Sequence, residues 1–108
     1  MPNTDKVRKL NDAFRTTLNG GKLLITRGIA ARSDVPAVLE KVRTFNAFDM
    51  GNDPWDEHDF GAFEVDDPAE KIFFKIDYYD LDLHGGSPDP GDESVTTRVL
   101  TLMLASEY

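Results

Sequence analysis

Lys71-Ile-Phe-Phe-Lys-Ile-Asp-Tyr-Tyr79 alternates two kinds of position without a break. Successive side chains of an extended chain point to opposite faces. Ile72, Phe74, Ile76 and Tyr78 therefore share one face, and Phe73, Lys75, Asp77 and Tyr79 the other. The aromatic and β-branched content completes a strand signal. Each Ile or Phe buried on the inner face stabilises the fold by roughly 1.5–3 kcal/mol. Upstream, His58 to Val65 reads as a second strand, and Asp66-Asp-Pro-Ala-Glu70 between them supplies turn residues. The two segments form an antiparallel hairpin.

This hairpin sits inside an unusual stretch. Residues 49–93 hold 15 acids against Lys71 and Lys75, a net charge of −13. The same stretch contains Trp55 and both histidines, His58 and His84. Residues 1–48 carry nine bases and four acids, a net +5. Asymmetry of this kind marks an interaction surface or an acidic loop layer. The whole chain of 108 residues has a net charge of −8. It is the length of one domain, residues 1–108. A net negative surface repels nucleic acid and anionic membranes at long range, so no direct nucleic-acid partner and no membrane is expected. Cysteine is absent, which excludes disulfides and thiolate metal sites. The polar N-terminus and the lack of a long apolar run make cytoplasmic residence the expectation.

Outward from the hairpin, residues 4–18 carry Val7, Leu10, Phe14 and Leu18 at helical spacing. Asn3 or Thr4 can cap this helix, and Asn19-Gly20-Gly21 ends it. Lys6, Arg8, Lys9 and Arg15 lie mostly off the stripe and read as a solvated face. Lys22 to Arg27 is a short strand. A helix begins between Ser33 and Pro36, with Val38, Val42 and Phe45 on its face. Asp49 to Pro54 and Asp80 to Asp89 are loops by their turn residues. A last helix is expected from the Asp89–Asp92 region, with Val95, Val99, Leu102 and Met103 on one face and Leu100 and Leu104 widening it. The order α-β-α-β-β-α gives an α+β fold, a small, mainly antiparallel sheet with helices packed on one face.

The acids and histidines offer several chemistries. Asp80-Leu-Asp82-Leu-His84-Gly85 approaches the start of a calcium loop, but Gly91 stands where its bidentate glutamate belongs. His58 with Glu57, Asp59 and Asp53 suggests zinc or manganese, with His84 brought in from the neighbouring loop. No HExxH pairing supports it, and a strand would turn Asp59 away from His58. Asp59, Asp77, Asp80 and His58 are the candidates for a metal-dependent hydrolase or nuclease. The order Lys75-Ile-Asp77 reverses the acid-x-Lys of restriction-type nucleases. No phosphate-binding loop, dinucleotide fingerprint or nucleophile elbow occurs. The reading favours a non-enzymatic protein with no catalytic residues, no metal and no cofactor.

Four segments together carry a resemblance. Glu57-His-Asp-Phe-Gly-Ala-Phe63, Lys75-Ile-Asp-Tyr-Tyr-Asp80, Gly86-Ser-Pro-Asp-Pro90 and Arg98-Val-Leu-Thr-Leu-Met-Leu104 resemble an uncharacterised bacterial family, domain of unknown function 3768. The resemblance runs from about Leu10 to Tyr108. It implies a small cytosolic bacterial protein, often carried on plasmids and other mobile elements, and implies no activity.

The functional expectation follows from the charge. DNA presents about one charge per 1.7 Å of axis. A small domain with this density of acids can imitate that field and occupy the basic channel of a DNA-binding or host-defence protein. In a mobile-element setting that is an anti-CRISPR or anti-restriction role. Asp53, Trp55, Asp56, Glu57, Asp80, Asp82 and Asp89 are the expected contacts with a basic protein partner. A small regulatory or structural homodimer that buries the wide last helix is the other non-enzymatic reading.

Overall fold

A computed structural model describes residues 4–108, so a cap at Asn3 lies outside the described residues. The hairpin forms as its alternation requires. β2 (Phe60–Val65) and β3 (Glu70–Tyr79) are antiparallel, with Phe63 opposite Ile72 and Gly61 opposite Phe74. Ile72, Phe74 and Ile76 are buried. Gly61 is required here, because the rings of Phe74 and Phe45 occupy the space a side chain would need.

The expected last helix is a strand. β4 (Thr97–Leu104) runs through the middle of a four-stranded sheet, alongside β3 and the edge strand β1 (Lys22–Ile25), in the order β1-β4-β3-β2. It pairs antiparallel to β3, with Leu100 opposite Ile76 and Leu102 opposite Phe74. It pairs parallel to β1, with Leu23 opposite Leu100. A central strand is covered on both faces, so its apolar residues need not alternate with polar ones. Arg98, Leu100 and Leu102 are buried on one face, Val99 and Met103 on the other. That continuous run imitates a wide helical stripe. The expected cap at Asp89-Pro90 opens no helix; Asp92 instead accepts from the Ser94 amide and starts a single 3-10 turn, Glu93–Val95.

Three helices pack on one face of the sheet: α1 (Thr4–Thr17), α2 (Arg27–Ala30) and α3 (Val35–Thr44). Phe14, Ile29, Val38 and Val42 from them meet Val65, Ile72, Phe74, Ile76, Leu100 and Leu102 in one core. α2 is a single turn where strand was expected as far as Arg27. The Glu107 carboxylate holds it, accepting from Thr26 Oγ1 and the Gly28 amide. Pro36 sits in the first turn of α3, as its missing N–H favours.

α1 buries more than its apolar stripe. Asn11 and Arg15 are both buried beside Val7 and Phe14. Arg15 is not part of a solvated face; its Nη1 donates to the carbonyls of Val42, Arg43 and Phe45. The last helical carbonyls lack partners within the helix, so this one side chain ties the end of α3 to α1.

β2 begins, β3 ends and β4 begins at the same end of the sheet. The Asp59 carbonyl accepts from the Ile76 amide, and Thr97 stands opposite Tyr79. The acidic loops 49–59 and 80–96 therefore share one end of the molecule. Among the described residues no helix is long and apolar enough to cross a membrane.

Candidate functional site

Each acidic loop brings five carboxylates to this end of the sheet and no Lys or Arg: Asp49, Asp53, Asp56, Glu57 and Asp59 from the first, Asp80, Asp82, Asp89, Asp92 and Glu93 from the second. The first loop is folded by its own acids. Asp49 Oδ1 accepts from the Gly51 and Asn52 amides. Asp53 is buried, and its Oδ1 accepts from the amides of Glu57 at 2.9 Å and His58 at 3.2 Å. Asp56 and His58 take positive φ values of 58° and 57°. Asp and His enter this left-handed region more readily than most residues, and the bend turns His58 back toward α1.

Asp12 on α1 receives it. His58 Nδ1 lies 2.9 Å from Asp12 Oδ1, which also accepts from Arg15. The imidazole stacks on Phe48, with centroids 4.0 Å apart and planes 3° from parallel. Its Nε2 faces Asp53 Oδ2 and Asp56 Oδ1, each at 3.8 Å. Asp56 turns its other oxygen to Arg8 at 2.9 Å. Phe48, Met50 and Pro54 line an open cavity of about 360 Å³ with Asp53, Asp56 and His58.

Behind this cluster lies a buried polar chain. Asn11 Nδ2 donates to the Glu57 carbonyl at 2.9 Å and the Tyr78 hydroxyl at 2.7 Å, and Asn11 Oδ1 accepts from Arg98 Nε at 2.7 Å. The Tyr78 hydroxyl donates to Glu57 Oε1, and Arg98 lies over the Tyr78 ring and donates to the Pro90 carbonyl. Burial, with Glu57 beside it, pushes the Tyr78 phenol well above its ordinary value. Burial pulls the Arg98 guanidinium down. Asp59 is pushed up by burial first and then by the charges of Glu57 and Asp53.

The second loop bonds mainly to itself. Asp80 accepts from the His84 amide, and its own amide donates to the Gly85 carbonyl. Asp89 accepts from the Gly91 amide. With Asp92 and Glu93 it faces Lys6 and Lys9 of α1 across a groove of about 520 Å³. The cationic helix thus lies against the acidic end and offsets part of its charge.

The seven expected contact residues share this end but not a role. Asp53 is buried, Glu57 is bound to Tyr78, and Asp56 is exposed but paired with Arg8. Trp55 is 75% exposed, and Asp82 is exposed. The metal grouping of His58 with Glu57, Asp59 and Asp53 resolves differently: Asp53 and Asp56 face the ring with Asp12 behind it, and exposed His84 sits in the other loop's turn. Of the four residues of the hydrolase reading, Asp59 feels the charge of Asp77, but the others have separate surroundings. Asp77 pairs with Lys75 on the sheet face away from the helices, Asp80 closes a turn, and His58 binds Asp12. Sequence reading missed Asn11, Asp12, Phe48 and Arg98. One signal was present: Asn11 falls within the apolar stripe, between Val7 and Phe14 at spacings of four and three.

No curated protein and no solved structure gives a significant match to the chain. Residues 25–107, from the end of β1 to the C-terminal turn, match the model of a family described as protein of unknown function, DUF3768, and the chain belongs to that family.

Proposed function

We propose that this protein is a non-enzymatic binding module that sets the acidic end of its sheet against a basic protein partner, in the manner of a nucleic-acid mimic blocking a DNA-binding or host-defence protein. One observation carries the reading. The two acidic loops also hold four large apolar side chains out in solvent: Met50 at 85%, Trp55 at 75%, Leu81 at 63% and Leu83 at 46%. Interfaces take most of their energy from a few aromatic and aliphatic anchors, with charge around them steering encounter. A loop layer that served solubility alone would have no use for such anchors. Lys6, Lys9 and Arg8 offset the charge nearest α1, so Asp80 and Asp82, beside Leu81 and Leu83, carry the steering and Trp55 anchors.

The test attaches an affinity tag at exposed Ser106, at the far end of the sheet where it leaves the acidic loops free, and captures partners from a lysate. Affinity for the captured protein is then measured across a salt series. Association should slow steeply with salt, since exposed charges are screened beyond about 10 Å at 0.1 M. Asp80→Asn with Asp82→Asn should slow association, whereas Trp55→Ala should speed dissociation. Duplex DNA should compete for the same partner. Binding unaffected by salt and by both variants rejects the reading; binding that meets these criteria but ignores DNA keeps the module and removes the mimicry.

A further inference from the structure

We infer that Asp53, Asp56 and His58 form a binding site for a first-row divalent metal ion, Zn²⁺ or Mn²⁺, with Asp12 as the group that orients the histidine. The site lies in the first acidic loop but needs no protein partner, so it stands or falls separately from the binding function.

Three observations meet here. The first is the direction of the imidazole. Its Nδ1 is 2.9 Å from the Asp12 carboxylate; an ionised carboxylate only accepts, so Nδ1 is the donor there. In the neutral ring the other nitrogen then carries a lone pair. That lone pair faces two more carboxylate oxygens at 3.8 Å, a repulsive arrangement that either a second proton on the ring or a cation between these atoms relieves. Carboxylate–imidazole–metal is the usual order in which a protein fixes a histidine ligand. The Phe48 stack and the Arg15–Asp12 contact hold the ring and its carboxylate in place.

The second is the charge of Asp53. Its side chain is 2% exposed. Its hydrogen bonds come from the Glu57 and His58 amides, and among the described residues its one ion-pair partner is His58, 3.8 Å away and a cation only when protonated. A buried carboxylate without a cation is costly. Every other buried charged side chain of this protein, Arg15, Arg32 and Arg98, has carboxylates, carbonyls or an amide oxygen against it.

The third is size. The three ligand atoms all lie within 4.8 Å of one another. An ion equidistant from atoms so placed sits roughly 2.2–2.5 Å from each, within or just outside the range of Zn–N and Zn–O bonds. The open cavity leaves room for water to complete the coordination sphere. One imidazole and two carboxylates suit zinc and manganese; calcium prefers an all-oxygen set. The primary structure shows His58 and Asp53 but hides the rest of this site, because Asp12 comes from another element and the turn at Asp56 and His58 is not a strand.

Two histidines make the test direct, since His58 and His84 are the only ring signals of their kind. Substoichiometric Mn²⁺ added to the metal-free chain should broaden the His58 ring resonances and spare those of His84. Zn²⁺ titrated by calorimetry should bind one per chain. Asp56→Asn, at an exposed position that leaves the core intact, should weaken it by about tenfold or more, and Asp12→Asn, one shell out, by about 10–100-fold. A melting curve for each variant separates lost binding from lost fold. The proposal is overturned if Zn²⁺ gives no saturable isotherm up to millimolar concentration, if Mn²⁺ broadens both histidines alike, or if folded Asp56→Asn binds as the wild type does. A His58 ring that keeps a proton on Nε2 in the presence of Zn²⁺ overturns it as well.

Discussion

The two acidic loops have the same number of carboxylates and the same lack of Lys and Arg, yet they are built differently. Loop 49–59 is bonded to α1 and β3 through Asp12, Asn11, Arg8 and Tyr78. The tip of loop 80–86 is bonded to itself, through Asp80, His84 and Gly85. Composition cannot distinguish an acid that holds the fold from one that faces a partner. Whether a polar group is satisfied by the chain's own distant residues decides it, and a buried, fully bonded carboxylate is no longer within reach of a partner's Lys or Arg.

The largest expected effect breaks the first loop. Asn11→Ala removes the link between the Glu57 carbonyl, Tyr78 and Arg98, and leaves buried polar groups without partners. Denaturant unfolding should show a loss of about 2–3 kcal/mol. A loss within error of zero would mean that the first loop does not depend on α1, and the contrast with the second would disappear.

A smaller effect, of opposite sign, sharpens the contrast. The Asp59 carboxyl is raised above its ordinary value near 3.8 by burial and by Glu57 and Asp53. The folded state therefore holds this proton more tightly than the unfolded state. Between the two pKa values stability rises as pH falls, and above the folded value the ionised group is a standing cost. Asp59→Asn should raise the melting temperature at neutral pH and flatten the difference from wild type as pH falls toward 4. A variant less stable than wild type at pH 7 would show that the carboxylate is needed as an acceptor.

The smallest effect belongs to the second loop. Asp82 is exposed, and Asp82→Asn should leave the melting temperature unchanged within error while slowing association with a basic partner. A clear drop in melting temperature would place this loop in the same structural class as the first.

Much of the fold was legible in local pattern. Residues 71–79 determined their own strand by period two, the 58–65 segment its partner, and Val7, Phe14, Val38 and Val42 the inner faces of two helices. These signals are local because each element sits at the border between core and water, and the border imprints its period on the sequence. β4 has no such border. Buried on both faces, Val99 to Leu104 shows hydrophobicity without period, and only pairing with β3 and β1 makes it a strand. The site was half legible for a related reason. The sequence by itself concentrated the acids, the tryptophan and the histidines in one stretch. Which acids face His58, which Arg pairs with Asp56, and which carboxylates stay in water were settled by tertiary structure alone: a side-chain hydrogen bond depends on separation in space, and Asp12 and His58 are 46 residues apart in the chain and 2.9 Å apart in the fold.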